Sequence, residues 1–255
     1  MLKLNCSRKK LLNNRASYLC GSKATDIKFH RIHYMNQWHN EIISSFYSFL
    51  SNNAFPCVAA KDAVTKENLK VMIAGHLSCP ADDKAILSFI YDFTNAYRKA
   101  DKGFHSAAII FKEPGNINEA LFDKLMWQRL QALRYLDAKQ YPYDSRVNDD
   151  PASVTFSFSL MEEAFFILAL HPCSSRPARQ FQYPTLVFNP HAQFEQMKTT
   201  ARYEKMKAIV RKRDIAYSGS VNPMLTDFGE ASEVYQYSGR MYDDTWKCPL
   251  NFTNE

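Results

Sequence analysis

Glycine is scarce in this chain, and none of the seven stands in a nucleotide-binding pattern. Gly21, Gly75, Gly103, Gly115, Gly219, Gly229 and Gly239 never form G-x-G-x-x-G or G-x-x-x-x-G-K, which excludes a standard dinucleotide fingerprint and a P-loop. The G-x-S-x-G elbow and the H-E-x-x-H zinc helix are missing as well. No apolar run approaches the roughly 18 residues of a membrane span; the longest, Ala164 to Leu170, has seven. The six cysteines are scattered, so no C-x-x-C redox pair or zinc ribbon can form. In a chain of 255 residues that scatter reads as reduced cytoplasmic thiols rather than a disulfide frame. Acidic residues are nearly missing from the start: residues 1–31 hold eight Lys and Arg against Asp26 alone. Because the net charge is +6, the remainder is close to neutral. Residues 1–35 therefore read as a disordered basic extension; a transit peptide and an internal start at Met35 are the alternatives.

Patterned sequence begins at Asn36. Trp38, Ile42, Ile43, Phe46, Phe49 and Leu50 recur at helical spacing up to Ser51. Leu69 to Ala74 and Ala107 to Phe111 read as strands, the second stopped by Pro114-Gly115. Asp82 is the expected N-cap of one helix and Asn118 begins another. Val154, Phe156, Phe158 and Leu160 alternate with Thr155, Ser157 and Ser159, which predicts a strand with one wet face. Ala164 to Leu170, apolar on both faces, should pair with it as a hairpin, and Thr185 to Phe188 gives a further strand. Phe194 to Arg213 reads as one basic helix, with seven Lys and Arg against Glu195 and Glu204. The expected fold is α+β: a single domain, residues 36–255, with a central, mostly antiparallel sheet flanked by helices.

The densest chemistry lies between Glu163 and Phe194. His171, Arg176, Arg179, Asn189 and His191 stand at expected strand ends, where five polar groups beside a core suggest one concave site. The i, i+3 spacing of Arg176 and Arg179 lets both face one anion. Glu163 needs a partner if it sits at the buried end of the hairpin, and a cationic substrate is one answer. Cys57 follows Phe55-Pro56; a helix opening at Val58, with Lys61 nearby, would favour its thiolate. Cys248 in Trp246-Lys247-Cys248-Pro249 is a further thiol that contacts iron or merely packs.

These blocks resemble the YqcI/YcgG family. The resemblance rests on Phe55-Pro56-Cys57, on Ser157 through Phe166 with Glu163, and on His171-Pro172 with Ser174-Ser175-Arg176 and Arg179. Pro184 to His191, Asn222 to Leu225, Gln236 to Arg240 and Trp246 to Pro249 complete it, over roughly residues 36–250. The branch with the His-Pro-x-Ser-Ser-Arg block is similar to heme-dependent N-hydroxylases of guanitoxin biosynthesis. Met161-Glu162 depart from the small residues expected before the matched glutamate.

The resemblance implies a heme b monooxygenase that hydroxylates a guanidine-type or amine nitrogen with O2 and electrons from an external reductase or ferredoxin-like donor. Heme needs one strong axial ligand: His171 is the first choice because it ends a buried strand beside the arginines, Cys57 a close second because thiolate donation helps O–O cleavage, with Cys248 and His191 behind. Arg176 and Arg179 would pair with the propionates, and Glu163 would hold the substrate guanidinium. The alternative is a heme-binding sensor or carrier without turnover. Neither nucleic acid nor membrane is an expected partner, since no binding module accompanies the basic runs.

Overall fold

The computed structural model describes residues 24–100, 103–198 and 202–252. The chain divides at Ser48 into a helical first unit and a second unit that begins at Phe49. Helix α1 (Ala24–Ser51) starts upstream of Asn36 and ends where the pattern ended it. What the sequence suggests for residues 1–23 lies outside the described residues.

In the second unit, α2 (Val58–Thr65) leads into β1 (Leu69–His76), α3 (Asp83–Tyr97), β2 (Ser106–Glu113) and α4 (Glu119–Asp137). β3 (Phe158–Leu160), β4 (Glu163–Leu170) and β5 (Thr185–Pro190) follow, then α5 (His191–Lys198), α6 (Arg202–Ser218) and α7 (Val234–Tyr237). Asn118 caps α4 by accepting from Leu121 N–H at 2.8 Å. Asp82 stands at the N-cap of α3, yet its carboxylate accepts from Gly75 N–H at 2.7 Å and so ties the helix start to β1.

The sheet order is β1-β2-β5-β4-β3; only β1 and β2 are parallel, and the other three pairings are antiparallel. Side chains alternate along a strand, and paired residues share a face. One face carries Ala74, Ile109, Phe111, Leu186, Phe188, Phe165 and Ile167, buried with Ile86 and Ile90 of α3 and Phe122, Met126 and Leu130 of α4.

One expectation fails here. The alternating stretch from Val154 is a strand only from Phe158, and its serine face is not wet. Ser157 Oγ donates to Glu233 at 2.8 Å and Ser159 Oγ accepts from Asp144 N–H at 3.0 Å, so a loop and the α7 region cover that face. The basic stretch read as one helix is described as α5 and α6, and residues 199–201 between them lie outside the described residues. Among the described residues no helix is long and apolar enough to cross a membrane.

Candidate functional site

The antiparallel pairing of β4 with β5 separates residues that lie close in sequence. Leu170 pairs with Thr185 and Phe166 with Asn189. His171 therefore leaves one end of the sheet while Asn189 leaves the other, about 17 Å away at the strand rise, with His191 farther still. The five-residue mouth is in fact two groups. Cys57, His171, Arg176 and Arg179 belong to the end where β4 finishes; Glu163, Asn189 and His191 belong to the opposite end.

Glu163 begins β4, seven residues from Leu170, or about 24 Å along the strand. It cannot aim a substrate at iron held by His171 or Cys57. Its buried carboxylate already has two cations: Arg146 Nη2 at 2.9 Å and Arg98 Nε at 3.3 Å. Arg146 also pairs with Asp144 at 2.6 Å, and that pairing holds the Asp144 carboxyl below its usual range against the opposing effect of burial. The partner that a glutamate at this depth requires is supplied by the chain itself.

The two arginines also turn to separate partners. Arg176 Nη2 donates to Asp214 at 2.5 Å and to the Ser220 carbonyl at 2.7 Å, fastening α6. Arg179 donates to the carbonyls of Ala169, Gln236 and Tyr237 at 3.0–3.3 Å. Its burial and the neighbouring Arg176 bring the guanidinium down to about 10. Gly239 lies against it at φ 81°, and a Cβ there would come within 3.0 Å of Arg179 Cγ. With these internal partners, the pair does not form a joint anion clamp.

His171 is fully buried, its ring stacked on Phe122 of α4 at 4.2 Å, and neither ring nitrogen has a hydrogen-bond partner among the described residues. Burial lowers it to about 4, so it is a neutral histidine inside the α3–α4 core. His191 opens α5 with its ring 4.3 Å from Phe228 and is likewise lowered to about 4, mainly by burial. Asn189 accepts from Ser106 Oγ at 2.7 Å and donates to the Phe166 carbonyl at 3.1 Å. Cys248 packs on the core, and burial pushes its thiol to about 12.

What remains is the sheet's other face. Val71, Ala108, Val187 and Leu168 form one straight row across four strands, and Ile73, Ile110, Thr185 and Leu170 form the next. Val71, Ile73, Phe166, Leu168 and Val187 are only half-buried, although β5 is the central strand. At about 4.8 Å per strand this apolar floor is ~14 Å wide. Phe194 of α5 reaches it, 6.3 Å from Phe166, and α6 runs from α5 to touch α2.

Cys57 is the N-cap of α2, its Sγ accepting from Ala60 N–H at 3.4 Å. Burial pushes the thiol up, opposed by the amides of Ala60 and Ala59 and by the charges of Arg179 and Lys61. A helix does open at Val58, as the sequence suggested. Phe49, Phe55 and Phe181 make an aromatic corner beside it, with ring separations of 5.0 and 5.4 Å. Sequence reasoning missed Arg98, Arg146 and the floor. The apolar character of both faces of Ala164 to Leu170 was the available signal for the floor.

Fold and site define a mixed-sheet α+β protein with one closed core and one half-open apolar face. The chain belongs to the YqcI/YcgG family, whose pattern it matches over residues 46–251. It is 27% identical over 208 residues to the "Uncharacterized protein YqcI" of Bacillus subtilis (strain 168), covering 78% of this chain and 81% of that one. It is 23% identical over 231 residues to the "Putative N(omega)-hydroxy-L-arginine synthase DcsA" of Streptomyces lavendulae, covering 86% of each. No solved structure matches the chain.

Proposed function

We propose that this protein is a heme-dependent N-hydroxylase of a guanidine-type or amine substrate, in which the half-open sheet face would bed the cofactor and Cys57 would hold its iron. One observation carries the reading: a flat apolar floor four strands wide in a protein with a cysteine at a helix N-terminus and the charge of Arg179 reaching that thiol. The name of the Streptomyces relative supports arginine-like chemistry. Heme bound there would supply dioxygen activation, given two electrons from an external donor.

The chain's own residues would do the rest. Val71, Ile73, Val187, Leu168 and Phe166 offer an apolar bed that excludes water from one side of a flat ligand. Ligation requires Cys57 to release its proton; the α2 amides, Lys61 and Arg179 then face the thiolate. His171 fits this role less well, because strand parity turns it into the opposite layer against Phe122. Among the described residues no group of three or more His, Cys, Asp or Glu is placed to hold a bare metal ion, whereas heme needs one strong protein ligand.

The test is to load purified protein with hemin and titrate arginine-class guanidines. A Soret band that shifts on addition, with a product one oxygen heavier when an electron donor is present, is the expected result. Hemin binding without any substrate response would leave a sensor or carrier; no hemin binding would overturn the reading.

A further inference from the structure

A file of aromatic rings, oxidisable from Tyr237 outward, leads away from the floor. Phe166, on the floor, meets Tyr237 edge-on at 6.0 Å. Tyr237 stacks on Trp127 at 5.8 Å, and Trp127 lies 5.9 Å from Trp246. Trp246 stacks on Tyr242 at 3.8 Å, and both of these are only half-buried. Packing alone explains a cluster of rings; it does not explain where their protons point. Trp127 Nε1 donates to Asp123 at 2.9 Å, and the Tyr242 hydroxyl donates to the same oxygen. Asp123 is buried, with Arg240 at 3.6 Å as its counter-ion. Indole and phenol become easier to oxidise when a base takes the proton that the radical cation releases, and here one carboxylate serves both the inner and the outer ring.

We propose that Trp127, Tyr242 and Trp246, sharing Asp123 and bridged to the floor by Tyr237, form a relay that carries single oxidising equivalents from the cofactor face to the protein surface. The proposal rests on the heme reading above. Its use is protective: when peroxide is reduced at the cofactor with no substrate bound, two electrons must come from somewhere. Trp127 gives up one electron and its indole proton passes to Asp123. The outer pair then returns an electron to Trp127, which recovers its proton from Asp123. A Tyr242 radical formed in that step leaves its phenolic proton on the same carboxylate. A small reductant of the thiol or ascorbate class donates one electron to the surface radical, which recovers its proton from Asp123, and the reductant's own proton passes to water. Two passes deliver the two electrons that take hydrogen peroxide, with two protons, to two waters.

The experiment uses the full chain loaded with hemin, loading being confirmed by the Soret band, and treated with hydrogen peroxide without substrate. Bleaching is followed spectrally, frozen samples are examined by electron paramagnetic resonance, and oxygenated residues are mapped by mass spectrometry. The expected result in the unsubstituted protein is an aromatic radical, with oxygenation concentrated on Trp246 and Tyr242. Trp127→Phe should lose the surface oxygenation and bleach severalfold faster, while ascorbate should slow bleaching in the unsubstituted protein only. Trp246→Phe, at the half-buried outer end, repeats the test with Trp127 left in place, and unchanged thermal melting shows that each variant is folded. Equal bleaching and equal oxygenation in loaded, folded variants would overturn the relay alone. Failure of the chain to take up hemin would overturn it together with the reading it rests on.

Discussion

Arg98, just past the end of α3, holds Glu163 across 65 residues of sequence and donates from Nη2 to the carbonyls of Met161, at 2.8 Å, and Glu162, at 3.0 Å. One side chain thus neutralises a buried carboxylate and fixes the turn in front of it. Glu163→Gln should cost about 2 kcal/mol of folding stability, the scale of a hydrogen bond to a charged group. Urea unfolding measures it. Heme content and substrate response should not change, because Cys57, the proposed ligand, belongs to the other end of β4.

The turn itself makes a separate prediction. Met161 and Glu162 both have positive φ, 54° and 55°, which is the pattern of a two-residue hairpin that favours Asn-Gly. Replacing them together by Asn and Gly should raise stability by about 1 kcal/mol, since left-handed backbone costs an ordinary residue about that much. An unchanged or lower denaturation midpoint would show that Arg98 holds the turn without strain.

Acid should weaken the fold through its buried histidines. His171 is held at about 4, below its ordinary 6.5, so the unfolded chain binds more protons between those values. The stability that comes from keeping it neutral is fully present above about 6.5 and is lost as pH falls toward 4. From pH 7 to pH 5 the expected loss is about 2 kcal/mol from this group. His171→Phe, which also removes two unpartnered nitrogens, should flatten the pH profile by that amount. His191 contributes in the same direction.

Electron delivery gives a fourth prediction. Lys198 is paired with Glu195, and Lys207 with Asp227, leaving Lys205 and Lys212 exposed on α6. If an acidic donor protein docks there, turnover driven by it should fall with salt and with Lys205→Glu and Lys212→Glu. Turnover driven by a small chemical reductant should be unaffected by those changes.

Local order was legible in the sequence, and long-range order was not. The Asn118 cap, the end of α1 at Ser51 and the hairpin partners of Ala164 to Leu170 follow from spacing and capping chemistry that act within a few residues. Strand direction does not. Asn189 and His171 looked like neighbours because both end strands, and the antiparallel register sends them to opposite ends. The serine face of β3 looked wet because alternation records polarity and not what covers it; Asp144 and Glu233 provide the cover. Glu163 needs a partner only if buried, and Arg98 and Arg146, which supply it, are distant in the chain with nothing local to mark them. Cys57 was readable as a helix cap because that relationship spans three residues.

The most direct test of the central claim is the ferrous–carbonyl spectrum of the hemin-loaded protein, read beside Cys57→Ser and His171→Ala. The account predicts a strongly red-shifted band of the thiolate type in the unsubstituted protein and in His171→Ala, and loss of that band or of heme in Cys57→Ser. A band at the position typical of histidine ligation, kept in Cys57→Ser and lost in His171→Ala, would contradict it.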